Sequence, residues 1–489
     1  MKAMTTHDEK KQPETPNIPG CIRKMSRTER FFFMSPACTV MMAARITGTL
    51  DETRFRQALA TMSRVHPLLR AKIVFDERHD AWFSSEGVPE VPLRVSPRSS
   101  DSQWLDELKN EARVPFDLGR GPLIKCVLLQ SLDVSDLLVF SNHSICDGMA
   151  LAILVRDLLV RYADPDTEVR VLDPPDALDL EKPRISVMEI VSSAIAGYAN
   201  WKWNKNPYYF GPEDYAALYL TYWEKRRPGL VLFEFDPAES ASLQAACREY
   251  GVTVASAVSA ACLAAHADIT GGFSKSQQTV LVPYDLRRRV QPPTGDIFCF
   301  CAGGIRLKFA YSPEKPFWDN AVAMHKAIHA YLEKPSPTPL PAFEPSLIDA
   351  LAGFGVFTNK VPAAYTRTAT LQRFAADTGN IVVSFNRTID TTFPGFTPSN
   401  LGRIDMPESY RGPRLERLVF LPAASEINPL VLGGIGVNGS MTFALPFVDP
   451  PAKTGISPEQ ELIRIRNRAL EYLGFPEKVH ERAIRENMV

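Results

Sequence analysis

Residues Phe140 to Gly148 read FSNHSICDG and complete the apolar run Leu137-Leu138-Val139-Phe140. Consecutive large apolar residues without alternation predict a strand buried on both faces. The next stretch, MALAILVRDLLVRY, predicts a helix after Gly148. His143 therefore stands at the mouth of a buried strand, with Asp147 and Gly148 four and five residues further on. A polar residue in that place can simply mark the end of the strand. It can also be a general base at the floor of a cleft, since an imidazole of pKa about 6.5 is suited to proton transfer near neutral pH.

At 489 residues the chain is long enough for two or three domains with real cores. Its 45% hydrophobic and 23% charged residues are ordinary soluble-protein composition. A formal net charge of -1 gives no global field toward nucleic acid or an anionic membrane, so no nucleic-acid partner is expected. The eight cysteines are singles apart from Cys299 and Cys301, and no C-x-x-C pair suggests zinc or a redox site. A disulfide framework is not expected in a chain of this size, which points to a reducing, cytoplasmic setting. Residues 1–20 read as a disordered leader without the apolar core of a signal peptide. No run of about 20 apolar residues is present, so no transmembrane span is expected.

The patterning is mixed strand and helix in both halves. Ala37 to Gly48 predicts a strand, and DETRFRQALATMSRVHP a helix capped by Asp51 and stopped at Pro67. Further strands are expected at LLRAKIVFD, PLIKCVLLQ and DLLVFSN, with a short helix at QWLDELKNEARV. These compose an N-terminal lobe over 21–165. Residues 166–228 form a Pro-rich and then aromatic inter-lobe segment, with Trp201, Trp203 and Trp223 among its rings. A second lobe, 229–489, opens with the strand GLVLFEFD and the helix PAESASLQAACREYG. It continues through a buried helix at Val252 to His266, the strand TVLVPYDL, the helix FWDNAVAMHKAIHAYLE, the strand LERLVFLP, a hairpin and a final amphipathic helix near Pro458 to Leu473.

Several site motifs fail on their context. Gly434-Ile435-Gly436-Val437-Asn438-Gly439 matches a dinucleotide fingerprint, but that fingerprint must open a helix. Here SMTFALPF follows, and Asn438-Gly439 is a type I′ hairpin signal. His143 and Asp147 lack the further ligands that a zinc site needs, so no metal is expected. Of Arg287, Arg288 and Arg289, two read as solvated, while one at a strand end can make a two-pronged pair with a buried carboxylate. His325 and His329, one turn apart, read as surface residues.

Several segments together resemble the HxxxD acyltransferases, a superfamily that includes chloramphenicol acetyltransferase, peptide-synthetase condensation domains and polyketide-associated acyltransferases. They are His143-Ser144-Ile145-Cys146-Asp147-Gly148, MSRTERFFF (Met25 to Phe33), HPLLR (His66 to Arg70), VPFDLGRGPLIKCVLL (Val114 to Leu129), VPYDLRRRV (Val282 to Val290) and SNLGRID (Ser399 to Asp405). Condensation domains usually carry two adjacent histidines, and here the first is replaced by Asn142. The late DFGWG loop of the plant enzymes is absent as well. The resemblance is therefore nearest to polyketide-associated and alcohol acyltransferases.

This resemblance implies an α/β fold of mixed sheets, in which two chloramphenicol-acetyltransferase-like lobes flank a central channel. It implies His143 as general base, with Asp147 turned away to pair with an arginine, for which Arg287 is the candidate. Gly148 would give the loop room to approach the next helix. Ser399 and Asn400, with Asn142, are candidate oxyanion or channel residues, and the first two could equally cap a turn. No permanently bound cofactor is implied. The co-substrate would be acyl-CoA or an acyl group on the phosphopantetheine arm of an acyl-carrier protein, and the acceptor a small-molecule alcohol or amine. Lys225-Arg226-Arg227 could receive an acidic carrier, and the aromatic segment from Tyr198 to Trp223 could roof a tunnel, make peripheral membrane contact or simply pack between the lobes. Ester formation is the leading expectation. The alternatives are an amide-forming freestanding condensation enzyme and a non-catalytic carrier-binding module of the same fold.

Overall fold

A computed structural model describes residues 17–175, 187–290, 293–333, 343–383, 393–450 and 455–478. The run Leu137–Phe140 is wholly buried in it, at the centre of a strand that has a paired neighbour on each side. In the N-terminal half the strands are β1 (Cys21–Lys24), β2 (Thr39–Thr47), β3 (Lys72–Phe75), β4 (Ala81–Ser84), β5 (Leu93–Pro97), β6 (Ile124–Gln130) and β7 (Val134–Asn142). The C-terminal half contributes β8 (Arg227–Phe235), β9 (Thr279–Asp285), β10 (Ala302–Lys308), β11 (Phe396–Arg403), β12 (Arg414–Leu421), β13 (Leu430–Val437) and β14 (Ser440–Asp449). They form a three-stranded sheet β1-β4-β3, a five-stranded sheet β12-β2-β7-β6-β5 and a six-stranded sheet β10-β9-β11-β13-β14-β8. The architecture is thus mixed α/β, with two lobes built on the two larger sheets.

One strand crosses the division between the lobes. β12 pairs antiparallel with β2 from Arg414↔Thr47 to Leu421↔Met41, although β11 and β13 on either side of it in sequence lie in the other sheet. The crossing needs a close approach of backbones, and glycine supplies the room. A Cβ on Gly433 of β13 would lie 2.4 Å from the Phe420 carbonyl oxygen. The glycine-rich stretch rejected as a nucleotide motif therefore contributes to packing. Asn438 and Gly439 have φ of 50° and 81°, the positive pair of a type I′ turn, and they join β13 to β14 as a hairpin.

The helices follow the expected punctuation. The first eight, in order, are α1 (Arg27–Phe33), α2 (Glu52–Val65), α3 (Gln103–Glu111), α4 (Gly148–Ala163), α5 (Val187–Trp203), α6 (Pro212–Glu224), α7 (Pro237–Glu249) and α8 (Val254–Thr270). Asp51 caps α2 by accepting the Arg54 N–H at 2.7 Å, and the helix ends before Pro67. α8 is buried along its small residues Ala257, Ala260, Ala261 and Ala264. Among the described residues no single helix is long and apolar enough to cross a membrane. Most of the expected leader lies outside the described residues, but Pro19 and Gly20 are tied by hydrogen bonds to Ser84 and Ser85. The middle of the Pro-rich linker also lies outside them. The aromatic part that follows is helical, and Trp203, Tyr215, Tyr219 and Tyr222 in it are buried. β10 and β11 are strands that patterning missed, because glycines and polar residues interrupt their alternation.

Two corrections concern polar side chains. Arg226, expected within an exposed basic patch, is buried and paired with Glu426. Folding therefore splits that cluster. His325 and His329 are half-buried with their ring centroids 4.0 Å apart, and Thr253 at the start of α8 donates its N–H to His325 Nδ1.

α1 is anchored to the C-terminal half by an ion pair that no local pattern announces. Arg30 donates through Nε to Asp349 Oδ1 at 3.0 Å and through its Nη2 to Oδ2, both side chains being buried. Burial pushes the Asp349 carboxyl up to about 6, with Arg30 opposing that shift. Removing one partner strands the other charge, so Arg30→Met should cost about 3–5 kcal/mol in a denaturant titration. The double variant Arg30→Met/Asp349→Leu should recover most of that loss, and strictly additive losses would refute a coupled pair.

Candidate active site

β7 ends at Asn142 and α4 begins at Gly148, so a short loop joins a buried strand to a buried helix. The loop is shaped by its own hydrogen bonds. The His143 N–H donates to the Cys38 carbonyl at 2.9 Å, and the Ile145 N–H to the Asn142 carbonyl at 3.2 Å. His143 Nδ1 lies 2.8 Å from the Cys146 carbonyl oxygen. A carbonyl only accepts, so Nδ1 carries the hydrogen and Nε2 presents a lone pair. No hydrogen bond to Nε2 is present among the described residues, and the His143 side chain is half-buried. Burial lowers the imidazole's pKa below its ordinary 6.5, against opposing contributions from the Cys146 carbonyl and the Asp147 carboxylate. The ring is therefore neutral at pH 7, with its free nitrogen a proton acceptor.

Asp147 points away from that nitrogen. Arg287, just beyond β9, donates from Nη1 to Asp147 Oδ2 at 2.9 Å and from Nη2 to Oδ1 at 3.1 Å. The same carboxylate accepts the Ala150 N–H at 2.8 Å, which caps α4, and the Cys301 N–H at 2.8 Å. Arg287 also donates to the Cys299 carbonyl at 2.9 Å and to Asp285 at 2.9 Å. Burial works against its charge, and the surrounding groups, Asp147 foremost and Asp285 with it, together hold the guanidinium above its ordinary value. Arg288 and Arg289 are exposed. Gly148 provides space at the base of α4, though for a different neighbour than expected. A Cβ there would lie 2.4 Å from the ring of Phe420 on β12 and 2.9 Å from Leu401 on β11.

The other candidates separate. Asn142 is 2% exposed, its amide accepting from the Ser144 N–H at 3.0 Å and donating to the Phe33 carbonyl at 3.3 Å. It is scaffold for the loop, not a group facing a channel. Ser399 and Asn400 are half-buried strand residues of β11, opposite Gly433 and Gly434 of β13. Asn400 Oδ1 accepts the Gly402 N–H at 2.7 Å, the turn-capping alternative. Leu401, the next residue, brings the end of β11 to the start of α4.

Three participants were not legible as site residues. Phe32 of α1 packs against the His143 ring at 4.3 Å, and Phe300 approaches it at 5.3 Å. His66 is fully buried and its Nδ1 accepts the Phe298 N–H at 3.3 Å; burial lowers its pKa to about 4. Phe32 and His66 lie in segments that carry the family resemblance, and Phe300 between the one close pair of cysteines, but no periodicity or local pattern assigns any of them a role.

Residues 23–175 match the Condensation domain family, and residues 224–335 match the family described as Phthiocerol/phthiodiolone dimycocerosyl transferase C-terminus. Phosphinothricin tripeptide synthetase of Streptomyces viridochromogenes is 23% identical over 347 residues, 65% of this chain and 30% of that protein. A linear gramicidin synthase component of Brevibacillus parabrevis is 28% identical over 141 residues, 27% of this chain and 3% of that protein. The chain thus spans less than a third of the length of these curated relatives. Among solved structures, the trichothecene 15-O-acetyltransferase of Fusarium sporotrichioides superposes with a TM-score of 0.59 at 14% identity, covering 92% of this chain and 94% of that one. Polyketide synthase associated protein 5 of Mycobacterium tuberculosis gives 0.54 at 15% identity, covering 94% and 99%. The first condensation domain of the CDA synthetase gives 0.58 at 15%, covering 93% and 96%. A segment of each half is thus matched in sequence, and the fold as a whole is shared with these solved structures, so the chain is similar to condensation domains and chloramphenicol-acetyltransferase-like acyltransferases along most of its length.

Proposed function

We propose that this protein transfers an acyl group from a thioester, acyl-CoA or an acyl-carrier protein, to a hydroxyl acceptor, with His143 as general base. The observation that carries this reading is the fixed tautomer, with Nδ1–H held by the Cys146 carbonyl and Nε2 left free. Nε2 takes the proton of the attacking hydroxyl as its oxygen bonds to the thioester carbonyl carbon. The tetrahedral intermediate then collapses, the carbon–sulfur bond breaks, and the imidazolium returns that proton to the departing thiolate. Atoms and protons balance without a covalent acyl-enzyme, and no serine or cysteine nucleophile is required. The peptide synthetases among the curated relatives favour a second reading, in which an amine replaces the hydroxyl and an amide results. Asn142 supports neither product over the other, since its amide is spent on the loop.

Release of free thiol from a panel of acyl-CoAs and from a loaded carrier protein, with alcohol and amine acceptors, separates these readings. His143→Ala should lower the rate by about 10²–10⁴-fold. Retained activity in that variant would remove His143 from the reaction. The neutral imidazole is the active form, so activity falls as pH drops through its pKa. Because burial lowers that pKa from 6.5, the acidic limb of kcat/KM should lie below pH 6.5 and the profile should be flat above 7.

Asp147 is proposed as a brace for the loop. Asp147→Ala leaves the Arg287 charge buried and unpaired, at a cost of about 3–5 kcal/mol. His143→Ala should melt like the parent protein while Asp147→Ala melts well below it. A parental melting temperature for Asp147→Ala would sink the bracing role.

A further inference from the structure

The segment from Asp296 to Cys301 has no regular secondary structure, yet it is pinned along its length. Arg156 of α4 donates to Asp296 at 2.8 Å, and the Phe298 N–H donates to His66 at 3.3 Å. The Cys299 carbonyl accepts from Arg287 at 2.9 Å, and the Cys301 N–H donates to Asp147 at 2.8 Å. Arg156, His66 and Asp147 all belong to the N-terminal half. What these anchors hold in place is Phe300, 7% exposed, with its ring 5.3 Å from the His143 ring and 5.3 Å from that of Phe32. Phe32 completes the triangle at 4.3 Å from His143. The Nδ1 bond to Cys146 restrains the imidazole at one atom only. Packing on the ring itself must supply the remaining restraint.

We propose that Phe300 is a positioning residue, which with Phe32 clamps the His143 imidazole, fixing the direction of Nε2 and keeping water from the ring. The proposal rests on reading His143 as the base, and it makes that base an assembly of both halves of the chain. Two effects of the clamp oppose each other. Displacing water disfavours the imidazolium, whereas the face of a phenyl ring attracts a cation. The charged group that acts on the imidazole is the Asp147 carboxylate, with Arg287 behind it, and the neighbouring segments carry the thiols of Cys38, Cys146, Cys299 and Cys301. Burial keeps the Cys146 and Cys38 thiols neutral, the latter pushed up to about 12, while the hydrogen bond between Cys299 and Cys301 raises the first and lowers the second. Asp147 is held by Arg287 and two backbone N–H groups, and none of these bonds involves the Phe300 side chain. Burial is the largest influence on the charge of this imidazole, so renewed access of water is the consequence expected of removing the phenyl ring.

The test is a histidine ¹³Cε1 NMR titration of the full chain, with the His143 signal assigned by its absence in His143→Ala. Phe300→Leu keeps most of the apolar volume without the flat ring, and Phe300→Tyr keeps the ring. The His143 midpoint should rise by about half a pH unit in Phe300→Leu and stay parental in Phe300→Tyr. Thioester turnover in Phe300→Leu should fall about tenfold in kcat with KM within about twofold, since orientation and not binding is lost. An unchanged or lowered midpoint in Phe300→Leu overturns the clamp. Thiol release that survives His143→Ala overturns the base assignment instead, and leaves the titration result standing as a statement about the ring.

Discussion

A carboxylate and a guanidinium, buried together and joined by two parallel hydrogen bonds, connect the halves of this protein at the point where the candidate site lies. Neither Asp147 nor Arg287 could be buried alone without a large desolvation penalty, so each requires the other. The carboxylate also caps α4 and takes the Cys301 N–H. One side chain thereby sets the start of a helix, the end of β9 and the course of an irregular segment. The loop that carries His143 is the short span left between these fixed points.

The lobes are tied elsewhere by elements that exchange sides. β12 completes the N-terminal sheet from the C-terminal half, and Phe420 on it fills the space that Gly148 leaves. Asp349 reaches back to Arg30 of α1, the helix that also carries Phe32 to the imidazole. A site with contributions from both lobes is therefore not free to hinge about a single linker.

Much of the fold could be read locally. The unbroken apolar run of β7, the Asp51 cap, the stop at Pro67 and the Asn438-Gly439 turn each act through neighbours a few residues away, and each forms as expected. β10 and β11 escaped because their partners, not their own alternation, make them strands. In the site, the pairing of Asp147 with Arg287 was reachable only through resemblance, since 140 residues separate them. Phe300 carried no sign of its place. The Lys225-Arg226-Arg227 cluster misled, because a charge run does not reveal that Glu426 will bury one of its members.

By itself, then, the sequence determined which segments become strands and helices and which histidine stands at the end of a buried strand, because periodicity, caps and turn chemistry are short-range. Tertiary structure alone decided how far that histidine is buried, what presses on its ring and what braces the acid behind it. Those properties depend on burial and on contacts between residues from both lobes, and burial exists only once the two sheets have closed on each other.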